Sequence, residues 1–233
     1  MPLIGFKSFG TTSPTELNSL DATVLIGDGT AEDIQIRFDG NVADYHMGLD
    51  DSTDLFTFGV GSTLGTNAAL TFDSDGHIRK PLQPAFLAHA DGDQSNIAVD
   101  TDVTVNFGTE IIDTNNDFNN STHTFTAPVT GTYQLGFNFK LDNMDTGAGS
   151  YQVQIITSNG TYMKIEDPAS WGSSPSDFTN GWMDYIFTVA DMDAADTAVF
   201  SLRQVSGTAQ CDLVQEDSGS GTLFTYCYGY LIG

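Results

Sequence analysis

Hydrophobic and polar residues alternate with a period of two along most of the chain, and no helical stripe of useful length interrupts them. Ile34, Ile36 and Phe38, for example, alternate with Gln35 and Arg37. Because successive side chains of a strand point to opposite faces, this alternation predicts an all-β protein. The strands predicted in the first third of the chain are 23–26, 34–38, 45–49, 55–60 and 69–72.

The first 80 residues are organised as an arm followed by a region of short strands. Residues 1–20 carry scattered apolar side chains and two prolines, and we expect them to form an N-terminal attachment arm that docks onto another protein. Residues 21–80 have too little apolar material for an independent core, so we expect a short-strand β stalk or shoulder domain that borrows its core from a partner chain. Asp39-Gly40 predicts a tight hairpin between two of its strands.

A proline linker and a second domain follow. Residues 80–84 read Lys-Pro-Leu-Gln-Pro, and their two prolines stiffen the chain, so residues 81–84 are the predicted domain boundary. Beyond it the strands are longer and more aromatic, and the predicted ones are 103–107, 122–126, 132–141, 151–158, 181–189, 198–205 and 224–232. Strands at this spacing predict a β-sandwich or jelly roll for residues 85–233.

The charge balance excludes two classes of partner. The chain has 7 Lys and Arg against 31 Asp and Glu, for a net charge of −24. Phosphate backbones and anionic lipid headgroups repel such a surface, so we expect no nucleic-acid partner. No segment approaches the roughly 20 apolar residues that span a bilayer, and residues 1–10 lack the pattern of a secretory signal, so we expect no membrane insertion.

Cys211 and Cys227 are the only cysteines, and they lie on either side of a Gly/Ser turn at 218–221. No C-x-x-C spacing is present, so neither a zinc site nor a redox motif is predicted. Two interpretations stay open, namely two buried reduced thiols or a cross-strand disulfide.

A spacing of aromatic residues and glycine in residues 107–137 resembles a known signature. Phe107, Asp113, Phe118, Phe125, Gly131, Tyr133 and Phe137 follow one another at intervals similar to those of the globular head of complement component 1, q subcomponent, in the tumour-necrosis-factor-like jelly-roll superfamily. Leu135 stands where that family has an aromatic residue, a tolerable change of volume in a core.

The resemblance continues more weakly through residues 85–233. The turn 192–196 is similar to the family's apolar-Gly-Asp turn but lacks the Gly, and residues 228–232 resemble its last strand. The resemblance implies a ten-stranded jelly roll that assembles as a homotrimer, is mostly non-enzymatic and in some members holds calcium. It assigns core and trimer packing to Phe107, Phe118, Phe125, Tyr133, Leu135, Phe137, Phe139, Tyr228 and Tyr230.

Residues 38–52 resemble segments of fibres of tailed bacteriophages, and the chain has neither a Gly-X-Y repeat nor heptads for another kind of stalk. The expected function is therefore a structural protein of the virion surface, a fibre or appendage whose knob binds a host surface glycan or protein or stabilises the particle. Residues 1–20 would contact capsid or tail proteins. The alternatives are a capsid decoration or cement protein, a secreted bacterial adhesin or lectin, and a small polysaccharide depolymerase.

Catalytic motifs are not found in the sequence. His46, His77, His89 and His123 lie in separate segments, and we expect each to be exposed or in a turn. No G-x-S-x-G elbow or phosphate-binding glycine loop before a helix is present. Paired carboxylates in a groove would suffice for glycoside hydrolysis, but neither domain is long enough for the solenoid that usually supplies one. The sequence thus predicts a protein that is not an enzyme.

Two groups of residues are candidates for binding. Oxygen-rich loops predict a Ca²⁺ site, with solvated turns as the alternative, at Asp73 and Asp75, Asp91 and Asp93, or Asp113 and Asp117. Trp171 and Trp182 flank a polar Gly/Ser loop. Exposed tryptophans in such a loop favour contact with a receptor, whereas buried ones would anchor the loop.

Overall fold

The fold was determined from a computed structural model, which describes residues 26–171, 181–216 and 221–233. Over these residues the chain is almost entirely β-structure, and its one helix is the short 3₁₀ helix Pro168–Trp171. The all-β prediction is therefore confirmed. None of the described segments forms a helix with the length and hydrophobicity that crossing a membrane requires.

The N-terminal sheet is a five-stranded antiparallel meander in the order β1-β2-β3-β4-β5. Its strands are β1 Ile34–Phe38, β2 Tyr45–Asp50, β3 Leu55–Val60, β4 Ala68–Phe72 and β5 Ile78–Arg79. The tight hairpin predicted at Asp39-Gly40 is wrong, because Phe38 pairs with Tyr45 and the loop between them is longer. The Gly40 N–H donates to the carboxylate of Asp44, 3.1 Å away, and this bond closes the wider turn.

Two six-stranded antiparallel sheets make up the rest of the chain. The first, the β11 sheet, contains β6 Ala85–His89, β8 Thr109–Asp113, β11 Gly131–Asp142, β14 Trp182–Met192, β16 Asp212–Leu213 and β17 Tyr226–Leu231. The second, the β12 sheet, contains β7 Val103–Thr104, β9 Phe118–Asn119, β10 Thr124–Thr126, β12 Ser150–Thr157, β13 Gly160–Glu166 and β15 Thr197–Val205.

The order of strands identifies this sandwich as a jelly roll. The β11 sheet runs β14-β11-β17-β6-β8 and the β12 sheet runs β13-β12-β15-β10-β9, with β16 and β7 paired at the side of each. Five strands on each path give the ten that the family resemblance implies. The chain crosses between sheets from β10 to β11, from β13 to β14 and from β14 to β15, so neighbours in space are distant in sequence. The jelly-roll prediction is thereby confirmed, and the domain boundary at residues 81–84 stays a prediction.

Aromatic side chains fill the space between the two sheets. Phe107, Phe118, Phe125, Tyr133, Leu135, Phe137 and Phe139 are all buried there. Phe86 stacks on Phe118 and Phe125 at centroid distances of 5.0 and 4.8 Å. These seven residues thus belong to the core of a single chain.

Candidate assembly surfaces

One outer face of the jelly roll is aromatic and exposed. Strand β14, at the end of the β11 sheet, points Met183, Tyr185, Phe187 and Val189 to solvent, and each is between 52% and 59% exposed. The rings of Tyr185 and Phe187 stack at a centroid distance of 6.0 Å and an interplanar angle of 12°. The inward side of the same strand carries Asp184 as well as apolar residues, so alternation alone does not reveal which side faces the core.

Strand β17 extends this surface across the sheet. Cys227 and Gly229 face the core, whereas Tyr228 and Tyr230 point outward. Gly136 on β11 pairs with Phe187 of β14 on one side and with Tyr228 of β17 on the other. The Tyr228 ring packs over Gly136, and a Cβ at position 136 would overlap this ring. We call the outward set the knob band; it consists of Ile112, Met183, Tyr185, Phe187, Val189, Tyr228 and Tyr230.

The opposite outer face of the jelly roll is mixed, because the exposed Met163 and Ile165 of β13 lie beside polar residues. On the β12 sheet, Gln154 donates to the carboxylate of Asp102 at 2.9 Å, and Arg203 lies 3.7 Å from the same carboxylate. Part of this face therefore has its own polar network. On the β11 sheet, the outward apolar residues of β14 and β17 lie on either side of β11, whose outward residues include Gln134, Asn138 and Lys140. The two described faces nevertheless differ, because the exposed aromatic residues of the sandwich, Tyr185, Phe187 and Tyr230, all belong to the β11 sheet.

The N-terminal sheet has a second exposed apolar surface. Registered pairs such as Met47 with Phe58 place the large apolar residues of its strands on one side, except for Leu55, which pairs with Asp50 on the other side. We call this the apolar face; it consists of Ile34, Ile36, Phe38, Tyr45, Met47, Leu49, Phe56, Phe58, Val60, Leu70, Phe72 and Ile78. Phe56, Phe58 and Phe72 form an aromatic cluster with centroid distances of 5.5 to 6.4 Å, and Phe56 is still 41% exposed.

The polar side of the same sheet is the buried one. His46, Asp50, Thr57 and Thr71 are each 6% exposed or less. The loop between β3 and β4 contributes the buried Leu64 and lies against this side, and the His46 Nδ1 is 3.0 Å from the carbonyl oxygen of Gly61. The expectation that His46 is exposed or in a turn is therefore wrong. It lies inside strand β2 and under a loop that the alternation does not reveal.

The other three histidines lie near the surface or beside turns. The side chain of His77 is 69% exposed, His89 is half-buried at the end of β6, and His123 has a positive φ of 56° in a turn. They belong to separate segments, as the sequence indicates.

One of the three predicted calcium loops brings several ligand groups together. Asp73, Asp75 and His77 place ligand atoms within 4.8 Å of one another, and they are the one such group of three among the described residues. The Asp73 carboxylate already accepts hydrogen bonds from the backbone N–H groups of Asp75 and His77 and from Arg79. The hydrogen bond from the His77 backbone is the main cause that lowers the pKa of Asp73.

The other two acidic loops are held by backbone contacts. The Asp113 carboxylate accepts from the N–H groups of Asp117 and Phe118 at 3.0 and 3.1 Å, and Asp93 accepts from the Gln215 N–H at 2.8 Å. Burial, and then the charge of Asp113, raise the pKa of Asp117. Asp91 lies close against Gly108. Calcium binding at any of these loops stays a prediction.

Trp182 is packed inward. Its ring meets Phe139 edge-on at a centroid distance of 4.9 Å, and Lys164 lies 6.0 Å from its centroid. Trp182 thus anchors its strand to the core, as the second of the two interpretations expects. Trp171 ends the 3₁₀ helix, and its side chain and residues 172–180 lie outside the described part of the chain. A receptor contact by this loop stays a prediction.

The two cysteines are free buried thiols in different places. Cys227 lies in β17, where it pairs with Phe137 and Ala88, and Cys211 precedes β16 and donates its N–H to Gln204 at 3.1 Å. Burial raises the pKa of Cys211 to about 12 and that of Cys227 as well. Both thiols therefore stay protonated and unreactive at neutral pH.

Comparisons with known proteins find similarity to solved structures. No family model matches the chain, and no curated protein matches it. The chain is similar to the globular domain of zebrafish complement 1qA, at 16% identity and a TM-score of 0.43, over 64% of this chain and 98% of that one. It is also similar to Eiger TNF from S. frugiperda, at 14% identity and a TM-score of 0.41, over 65% and 93% of the two chains. A third is murine APRIL, at 12% identity and a TM-score of 0.43, over 64% and 99%.

Proposed function

We propose that this chain is a non-enzymatic structural protein of a tailed-phage virion, a homotrimer whose jelly roll of residues 85–233 forms an outward knob. The observation that carries the assembly is the knob band, an exposed aromatic surface on one face of a chain whose net charge is −24. Residues 1–20 attach the trimer to capsid or tail proteins, and the knob acts by binding.

The charge decides where copies of this chain can meet. Like charges repel, so two such acidic chains associate only where an uncharged surface removes enough apolar area from water. The seven residues of the knob band carry no charge, and aromatic residues of this kind are enriched in the centres of protein interfaces. The outer face of the β12 sheet carries the charged Asp102 and Arg203, and its large exposed apolar residues, Met163 and Ile165, are not aromatic.

The layout of the knob band favours a closed ring. Phe187 lies on the edge strand β14, whereas Tyr228 and Ile112 lie on strands farther across the same sheet. If the edge of one copy packs on the sheet face of the next, the contact is head-to-tail, and it closes when the rotation between copies is one third of a turn. A trimer also multiplies weak contacts of the knob with a host glycan or protein.

Localisation on the particle tests the virion assignment. Gold-labelled antibodies against the knob are applied to intact particles of the phage that encodes the chain and imaged by electron microscopy. Label on the tail supports a fibre or appendage, and label on the head supports a capsid decoration protein. Particles without label overturn the proposal. Incubation of the purified protein with host polysaccharide tests the non-enzymatic assignment, which shortened chains would overturn.

A further inference from the structure

The N-terminal sheet exposes its apolar side and buries much of its polar side, whereas a sheet on the surface of a monomer normally does the opposite. Its apolar face is solvent-exposed in a single chain, with Phe38, Phe56 and Ile78 between 41% and 59% exposed. Its polar side is buried over β2, β3 and β4, next to the chain's own loop with Leu64, whereas Gln35 of β1 is exposed on that side. Exposed apolar surface of this extent marks a contact with another molecule.

We infer that the apolar face packs against the same face of other copies of this chain, so that three N-terminal sheets share one core around the axis of the trimer. This inference rests on the proposed homotrimer. It assigns a binding partner to the apolar face, which is not part of the knob. The described strands of the sheet pair with one another within one chain, so the contact is face to face and involves no exchange of strands.

Three features favour a second copy over a different partner. The twelve residues of the apolar face carry no charge, so the face offers a chemically different protein no charge pattern to recognise. Arg37 lies on the opposite side of β1, paired in register with His46, and so away from the contact. The connection to the knob is also short, because β5 ends at Arg79 and β6 begins at Ala85.

The third feature is that this short connection keeps the N-terminal sheets of the proposed trimer close to one another. Five residues span less than about 20 Å even when fully extended, so a trimer held by its knobs keeps its three N-terminal sheets near one another. Two segments tethered at such distances meet at an effective concentration in the millimolar range. Copies of the same sheet therefore reach this face before any free partner does.

The size of the apolar face explains why the tether matters. Four strands of five or six residues and the two-residue β5 make up the sheet. With strands about 4.8 Å apart and a rise of about 3.4 Å per residue, they give a face of roughly 400 Å² in projection. Stable interfaces bury about 800 Å² on each partner, so this face alone is too small to hold free sheets together. We expect it to close only within the full-length trimer, and the experiment therefore uses the full chain.

Cross-linking through a single introduced cysteine tests the inference. Phe58 lies on the central strand β3 and points out of the apolar face, whereas Gln35 is exposed on the other side of β1. Phe58→Cys, and Leu49→Cys as a second variant, are oxidised in the full-length protein, and the products are separated by denaturing electrophoresis. Gln35→Cys is the matched control. Cys211 and Cys227 are buried and do not react in the folded chain.

The expected result is a covalent dimer from Phe58→Cys or Leu49→Cys and none from Gln35→Cys. In a threefold assembly each trimer forms one disulfide and keeps one free thiol, so cross-linking stops at about two thirds of the chains. Complete cross-linking would instead indicate a twofold pair of faces and overturn the threefold arrangement.

Two other outcomes overturn the shared core while leaving the proposed trimer intact. If light scattering gives a trimer but the introduced thiol reacts freely with maleimide, the apolar face is open to solvent. If the thiol is protected from maleimide and does not cross-link, another segment, such as residues 1–25, covers the face. A monomeric mass for the unmodified chain contradicts the proposed function itself, so the two failures are distinguishable.

Discussion

The ring of His46 on β2 packs against the Cα of Gly59, its registered partner on β3. A methyl group at Gly59 would overlap the imidazole, which is 2% exposed and has no open space to move into. The packing on the buried side of the N-terminal sheet thus requires glycine at position 59, which has no side chain. This arrangement lets a loop close over polar residues and leaves the apolar residues outside.

Gly59→Ala is therefore expected to lower the free energy of unfolding of the N-terminal sheet by about 1–3 kcal/mol, the usual cost of overpacking. Urea unfolding followed by fluorescence or circular dichroism measures the change. Gly92→Ala is the control, because a Cβ at Gly92 meets nothing within 4 Å. Equal stability of the two variants would show that the contact between His46 and Gly59 does not constrain the sheet.

Asp145 ties two loops of the jelly roll together. Its carboxylate accepts from the N–H groups of Gly147, Thr208 and Ala209, at 2.6 to 3.0 Å. The hydrogen bonds from Ala209 and Thr208 lower the pKa of Asp145. We expect Asp145→Asn to cost roughly 1–2 kcal/mol at neutral pH, because charge-assisted hydrogen bonds are weakened.

The pH dependence of that cost follows from the direction of the shift. A carboxyl with a lowered pKa stabilises the fold above its ordinary pKa of about 4, and the contribution disappears as the pH falls through the lowered value. Thermal unfolding of wild type and Asp145→Asn should therefore differ at neutral pH and converge in acid. The exposed Asp54→Asn serves as the control. A difference that persists unchanged in acid would contradict the assigned role of the charge.

The pKa of Asp117 is raised, whereas that of Asp145 is lowered. Burial and the neighbouring Asp113 raise the pKa of Asp117, and its Oδ2 is buried without a hydrogen-bond partner. A raised carboxyl pKa destabilises the fold as the pH rises above about 4, because the charged form is disfavoured. We expect Asp117→Asn to raise the melting temperature at neutral pH, with a gain that vanishes in acid.

Asp113→Asn provides the contrast, because its carboxylate accepts two backbone N–H bonds and its loss should destabilise the chain. Melting curves with calcium and with a chelator extend the same experiment. If this loop binds Ca²⁺, the wild type melts higher with calcium and Asp117→Asn loses that increase. Destabilisation by Asp117→Asn in the presence of the chelator would contradict the account of its pKa.

Ala195 occupies a backbone conformation that favours glycine, with φ of 74°. Its N–H donates to the Ala127 carbonyl at 2.8 Å, which holds the turn between β14 and β15 in place. Ala195→Gly removes the steric cost of the left-handed conformation, and we expect a gain of about 1 kcal/mol. Ala194→Gly, next to it, should destabilise slightly. A neutral or destabilising Ala195→Gly, measured by chemical denaturation, would contradict this prediction.

Much of the fold is predictable from the sequence because the long strands are strongly amphipathic. Alternation predicts strand 132–141, and the structure has Gly131–Asp142 with its aromatic side inward. Strand β13 was not predicted, since it lies at the end of the β12 sheet and has half-exposed and exposed residues in alternation. The predicted strand 103–107 pairs only at Val103–Thr104.

The surfaces were less predictable, because alternation identifies two faces and does not say which one is buried. On β14 the side with Tyr185 and Phe187 is the more apolar, yet it faces solvent. On β2 the side with His46 is the more polar, yet a loop covers it. The sequence also groups Tyr228 and Tyr230 with the core aromatics, and only the three-dimensional structure separates outward from inward residues.

The knob band leads to a prediction about assembly. Phe187 is 59% exposed and contributes little to its own chain's core, so Phe187→Asp should preserve the fold while placing a charge in the interface. We expect the far-ultraviolet circular dichroism to be unchanged and the trimer to dissociate. Val42→Asp, at a residue 95% exposed in a loop, is the control and should leave assembly intact. If Phe187→Asp assembles as well as Val42→Asp does, the knob band is not part of the interface.

The central claim is that the chain assembles as a trimer through uncharged surfaces, and the mass of the full-length protein in solution tests it most directly. Multi-angle light scattering at micromolar protein, at low and high salt, should give three times the chain mass of 25.0 kDa. Salt screens the repulsion between acidic chains, so the trimer should persist or tighten as salt rises. A mass of one chain at both salt concentrations would contradict the account.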